Sequence, residues 1–215
     1  MTTRVMLVRH GATVLGTDDR FAGSTDVLLS VEGRIQAERL GQRLAGESFA
    51  AVYGSSLQRA VETATMVARP HGLPVTVLDD LREIDHGRWE GLLRSEAAAL
   101  YPDEYAAWER DPFTVAPLGG ESGQSVLDRA RRAFQEVVVA HPGQIVLVVS
   151  HKATIRLVIA HLLGFDPRGY RDRLEQLPAC LNVIDMDRDG HGRLKLMNDV
   201  SHYARESRLS SHSDM

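Results

Sequence analysis

The chain has 215 residues, 43% of them apolar and 25% charged. That balance suits one large domain, or one domain with a small insertion, and excludes a fibrous repeat, a small disulfide scaffold and disorder throughout. The 25 basic and 29 acidic residues give a formal charge of −4, which argues against a nucleic-acid partner but leaves room for a local positive pocket.

Val5-Met6-Leu7-Val8 is a short apolar run followed at once by Arg9-His10-Gly11, so it reads as a buried strand ending in a functional loop. It is too short for a leader peptide. Residues 17 to 29 read as a loop. A helix is predicted from about Ser30, which can cap it, with Ala37, Leu40, Gly41 and Leu44 inward. A strand over Ala50 to Tyr53 leads to a second helix that carries Leu57, Ala60, Val61, Ala64, Val67 and Ala68 and ends near Pro70. Val75 to Leu78 is a third strand. Residues 79 to 122, with Trp89, Tyr101, Tyr105 and Trp108, read as a helical insertion over one end of the sheet.

A long helix is predicted from about Gln124 to Ala140. Ile145 to Val149 is the strongest strand signal, and an unbroken apolar run points to burial on both faces. A helix with Ile155, Val158, Ile159, Leu162 and Leu163 stops at Gly164. Residues 181 to 186 and 193 to 197 form a terminal hairpin around Asp189-Gly190, and the polar stretch from 204 to 215 reads as a flexible tail. Alternating strands and helices make this an α/β protein with a mostly parallel sheet. Cys180 is the only cysteine and no apolar run approaches about 18 residues, so a cytoplasmic protein without a membrane partner is the expectation.

Ligands of open α/β sheets bind beyond the carboxyl ends of the strands. His10 and His151 stand at two such ends, Arg9 adjoins His10, and Arg59 follows the 50–53 strand. Taken singly, each has an ordinary reading as a loop or surface residue. Together, two imidazoles and two guanidiniums would grip a dianion such as a phosphoryl group. One histidine could then be the nucleophile toward phosphorus, and Glu83 the acid that protonates the leaving oxygen. Asp85 and His86 read as loop residues. A metal site built from His10, His151 and Asp85 is a competing idea with no compact helix-spaced motif behind it.

The residues also carry a resemblance. Leu7 to Thr13, Arg20-Phe21-Ala22-Gly23 through Asp26, Leu29 and Gly33, Ser55 to Ala64, Leu81 to Gly91, Gly119 to Ser122 and Val149-Ser150-His151 occur in the order of the histidine phosphatase superfamily, phosphoglycerate-mutase-like branch. The resemblance implies a three-layer α/β/α sandwich with the insertion capping the site, forming one domain over residues 1 to 203. It implies His10 as the residue that becomes phosphohistidine, with Arg9, Arg59 and His151 completing the phosphate pocket. Glu83 would be the general acid and then the base. No metal or other cofactor is implied, and a homodimer is a family expectation only.

Four positions depart from the family's common pattern. Gly16 stands where Asn is frequent, Ala22 where Gln is, Ala12 where Glu is, and Lys152 where Gly usually follows the second histidine. Lys152 could replace lost phosphate donors. The short insertion favours a phosphomonoesterase acting on a small phosphorylated metabolite. A 2,3-bisphosphoglycerate-dependent phosphoglycerate mutase is the alternative, and a noncatalytic module for phosphorylated ligands is a third reading. Trp89, Trp108, Phe21 and Tyr105 could line the pocket, although aromatics at these spacings more often belong to a core.

Overall fold

The computed structural model describes residues 1–15 and 19–203. The expectations for Gly16 and for the tail over 204–215 lie outside the described residues. Along the chain run β1 (Thr3–Arg9), α1 (Val31–Leu44), β2 (Phe49–Gly54), α2 (Gln58–Ala68), β3 (Val75–Val77), α3 (Arg94–Leu100) and α4 (Pro102–Arg110). They are followed by α5 (Gly123–Ala140), β4 (Ile145–Ser150), α6 (Lys152–Leu162), α7 (Tyr170–Arg173), β5 (Leu181–Met186) and β6 (Gly192–Asp199).

The strands form one sheet in the order β3-β2-β4-β1-β5-β6. The first four are mutually parallel. β5 opposes both its neighbours, so β6 again runs with β1. Side chains alternate across the two central strands. Val5, Leu7, Val146 and Val148 pack with α5 and α6, whereas Met6, Val8, Leu147 and Val149 pack with α1 and α2. Burial on both faces explains why β1 and β4 read as unbroken apolar runs.

The helices bury the stripes their spacing predicts, including Ala37, Leu40 and Leu44 on α1 and Val126, Ala130, Phe134 and Val137 on α5. Ser30 caps α1 by accepting from Gly33 N at 3.0 Å. The exit of β1 packs directly on that helix start. A Cβ on Gly11 would stand 2.4 Å from Gly33 O, so a side chain at position 11 would push the strand end off α1.

The third strand runs over Val75–Val77, and Leu78 stays extended, donating to Gly54 O at 2.9 Å, before a short 3-10 segment over Asp79–Leu81. The insertion is less helical than expected. Pro102 begins α4 straight after α3, and residues beyond Arg110 leave the helix. Phe21, Trp89, Ala97 and Trp108 instead give this part an aromatic core of its own, backed by Tyr101 and Tyr105. Among the described residues no helix is long and apolar enough to cross a membrane.

Candidate active site

Parallel pairing of β1 with β4 sets Arg9 opposite Ser150, so the next residue on each strand, His10 and His151, leaves the sheet side by side. His10 N donates to Ser150 O at 3.0 Å, and the two imidazole centres are 5.0 Å apart. His10 Nδ1 lies 2.7 Å from Gly11 O. A carbonyl only accepts, so Nδ1 carries the proton and Nε2 keeps a free lone pair. Burial holds His10 well below the usual imidazole range, and repulsion from Arg9 and Arg59 adds to it. Both effects favour the neutral ring. His151 is depressed in the same way, by burial first and then by His10, Arg59 and Arg9. Its Nε2 bonds to Ser55 Oγ at 2.7 Å, while its buried Nδ1 has no partner among the described residues.

Arg59 sits in the first turn of α2 and is buried. Its terminal nitrogens donate to Thr25 O at 2.8 Å and Gly23 O at 2.7 Å. The same loop is gathered from its other side by Glu90. Gly23 N, Ser24 N and His86 N donate to Glu90 Oε1 at 3.1, 3.0 and 3.0 Å, and Thr25 donates to Oε2 through both its amide and its hydroxyl. Burial alone would raise the Glu90 carboxyl. The Thr25 hydroxyl and the His86 and Ser24 amides, with the nearby His86 ring, outweigh it and hold Glu90 below its usual range. Gly23 is needed in this bracket, since a Cβ there would lie 1.8 Å from Ile84 O. Arg9 is half-buried and donates to Gln176 O at 2.7 Å. Gln176 is itself locked to buried Asn182 through paired amide hydrogen bonds of 2.9 and 2.8 Å.

Glu83 is buried and reaches the start of α6. Its Oε1 accepts from Ile84 N at 3.0 Å and Thr154 N at 3.3 Å, and its Oε2 accepts from Ala153 N at 3.1 Å. It thus satisfies helix amides that His151, the N-cap residue, does not. Arg129 holds the backbone behind it, donating to Asp80 O, Arg82 O and Glu83 O and forming a forked pair with Glu121, both contacts 2.9 Å.

Arg9, His10, Arg59, Glu83 and Lys152 line a pocket of about 410 Å³, whereas His151 is fully buried beside His10 and is not part of the lining. A family model described as histidine phosphatase superfamily (branch 1) matches residues 5–200. The chain belongs to that superfamily. It is 37% identical over 201 residues to a bifunctional protein of Mycobacterium tuberculosis, an alignment covering 93% of this chain and 55% of that protein. The chain thus spans about half the length of such curated relatives. It is also 37% identical over 163 residues to phosphoserine phosphatase 1 of Hydrogenobacter thermophilus, covering 76% of this chain and 77% of that one. The solved structure of YhfR from Bacillus stearothermophilus superimposes with a TM-score of 0.87 at 32% identity, over 93% and 98% of the two chains.

The remaining walls of the pocket were less legible. His86 is not an ordinary loop residue, as expected from sequence. It packs on Phe21 with ring centres 4.7 Å apart and lines the pocket beside Trp108. Asp85 does stay a loop residue, its Oδ1 accepting from Gly87 N. Trp89 and Tyr105 belong to the aromatic core and not to the lining, whereas Phe21 and Trp108 serve both. Sequence reasoning missed Arg94, Arg156 and Arg171 in the lining, and Glu90, Arg129 and Ser55 behind it. Only Arg156 had a local signal, one helical turn after Lys152. Among the described residues, the one cluster with metal-ligand spacing is Asp187, Asp189 and His191 at the β5–β6 turn. It does not involve His10, His151 or Asp85.

Proposed function

We propose that this chain is a metal-independent phosphomonoesterase that works through a phosphohistidine at His10. The observation that carries the reading is the buried His10 ring, its Nδ1 bonded to Gly11 O, in a pocket lined by Arg9 and Arg59 with the His151 ring centre 5.0 Å away. The arginines and the unpartnered Nδ1 of His151 receive the phosphoryl oxygens and favour charge that builds on them during transfer. His10 Nε2 attacks phosphorus, so an N–P bond forms as the ester P–O bond breaks. The leaving alkoxide takes a proton from Glu83. Water then attacks the phosphohistidine and gives a proton to Glu83. The N–P bond breaks, and inorganic phosphate leaves with His10 restored.

A mutase would share the first step and return the phosphoryl group to a retained hydroxyl. The two short helices of the insertion and the relatives named as phosphatases favour water as the acceptor. The deciding experiment follows phosphate release and 3- to 2-phosphoglycerate conversion side by side, in chelator. Phosphate release with an acid-labile label on the protein is the expected result. Isomerisation with negligible release would make the chain a mutase. Ligand binding without any phosphoenzyme would make it a binding module, and loss of activity in chelator would end the metal-free reading.

A further inference from the structure

The α6 side of the pocket carries two cations that have no ion-pair partner among the described residues. Lys152 is the first residue of α6, and Arg156 lies one turn on along the same face. Both line the pocket with Arg9 and Glu83. Like charges four residues apart on a helix repel each other, and a cation in the first turn opposes the helix dipole. Arg156 Nε is buried with no partner among the described residues.

No carboxylate forms an ion pair with either cation among the described residues. Glu83 acts on both charges through space, while its oxygens accept from the amides of Ile84, Ala153 and Thr154. Asp172 is close enough to Arg156 to act on its charge, but no ion pair joins them among the described residues. Other pocket arginines differ. Arg94 pairs with Asp19 at 2.9 Å and Glu109 at 3.6 Å, and Arg171 pairs with Glu109 at 3.1 Å. Partial desolvation, then Arg156 and Arg9, push the Lys152 ammonium below its ordinary value, and desolvation followed by Arg9 does the same to Arg156. Two crowded cations on a pocket wall, without a direct ion-pair partner among the described residues, are relieved when an anion arrives. The transferred phosphoryl group already has Arg9 and Arg59.

We infer that Lys152 and Arg156 form a second anion subsite that reads a carboxylate or a second phosphate carried by the substrate beside its scissile phosphoryl group. This rests on the phosphomonoesterase reading and narrows its substrates to acidic phosphomonoesters over neutral sugar or alcohol phosphates.

The test uses matched pairs. 3-Phosphoglycerate and glycerol 1-phosphate differ by a carboxylate against a hydroxymethyl group. Fructose 1,6-bisphosphate and fructose 6-phosphate differ by the second phosphate. Equilibrium binding is measured on His10→Ala protein, and hydrolysis on protein with His10 intact. At least one acidic partner should bind about tenfold more tightly than its neutral counterpart, as hydrogen bonds to charged groups allow. The pair that discriminates identifies the anion. Lys152→Ala and Arg156→Ala should bring that ratio toward one through Kd and KM, Lys152→Glu should invert it, and Arg156→Lys should largely keep it. A ratio near one for both pairs in the unmodified wall overturns the subsite. So does a Lys152 variant that weakens both members of a pair equally, since Lys152 would then serve the transferred phosphoryl group. Discriminating binding without any hydrolysis would support the subsite and refute the hydrolytic reading instead.

Discussion

His10 and His151 are placed by six consecutive residue pairs between β1 and β4. Across the pocket, Phe21, His86 and Trp108 are placed by an aromatic cluster, and Arg94 and Arg171 by pairing with Glu109. The first wall is continuous backbone ladder; the second is side-chain packing among segments far apart in the chain. Groups carried on strand ends are held more tightly than groups on loops, so the ladder wall suits chemistry common to any phosphomonoester. The insertion wall can change shape without disturbing the sheet, which suits choice among substrates. Glu90 joins the two walls, because it belongs to the insertion yet organises the loop that grips Arg59.

Breaking the ladder wall should have the largest effects. His10→Ala is expected to abolish the phosphoenzyme and lower turnover by at least about 10⁴-fold, the scale seen when a nucleophile is removed. Acid-labile trapping and 4-nitrophenyl phosphate hydrolysis check this together, and near-normal turnover would move the chemistry away from the strand ends. Arg59→Ala should lower kcat by about 10²–10³, as for loss of a preorganised charged donor. Glu83→Gln should slow alkyl phosphates by roughly 10² and activated aryl phosphates much less. Equal slowing of both classes would leave Glu83 as a cap for α6 and nothing more.

Glu90→Gln sharpens the comparison at the joint between the walls. It keeps one acceptor oxygen but loses the charge that gathers residues 23 to 25. A fall of about tenfold in kcat/KM is expected, equivalent to about 1.4 kcal/mol of lost positioning. The loss should be shared by all substrates, because Arg59 is what moves. A change confined to some substrates would show that Glu90 acts through the insertion wall instead.

The smallest expected effect is on stability. Burial, followed by Arg9 and Arg59 for His10 and by His10 and the arginines for His151, keeps both rings below their usual 6.5. Burial also lowers His86. The unfolded chain then takes up protons that the folded chain refuses, so stability is complete above about pH 6.5 and falls as pH drops below it. Carboxylates such as Glu90 and Glu121, held below 4.5, contribute only at more acid pH. Between pH 7.5 and 5, roughly the range in which histidines titrate, Tm should decline, and His151→Asn should flatten the decline. A flat profile in the original protein would mean that these imidazoles are not held neutral.

Much of this was legible in the linear chain. Val5–Val8 and Ile145–Val149 announced themselves because a strand buried on both faces is mostly apolar, and each run is followed two residues later by a histidine. The arginine at the start of α2 and the acid after β3 were legible because each lies within six residues of a strand end. His86 was misread because nothing in its neighbours shows that Phe21, sixty-odd positions earlier, would fold back against it. Gln176 and Asn182 went unread because an amide pair beneath Arg9 leaves no periodic trace.

Hydrophobic period and strand-end placement are local properties, so the amino-acid order by itself determined the α/β layering and brought His10, His151, Arg59 and Glu83 within reach of one another. Charge balance is not local. Whether a cation is neutralised depends on which carboxylate the folded chain brings near it. Only the tertiary structure could therefore show that Arg94 and Arg171 are paired while Lys152 and Arg156 face the pocket without an ion-pair partner among the described residues.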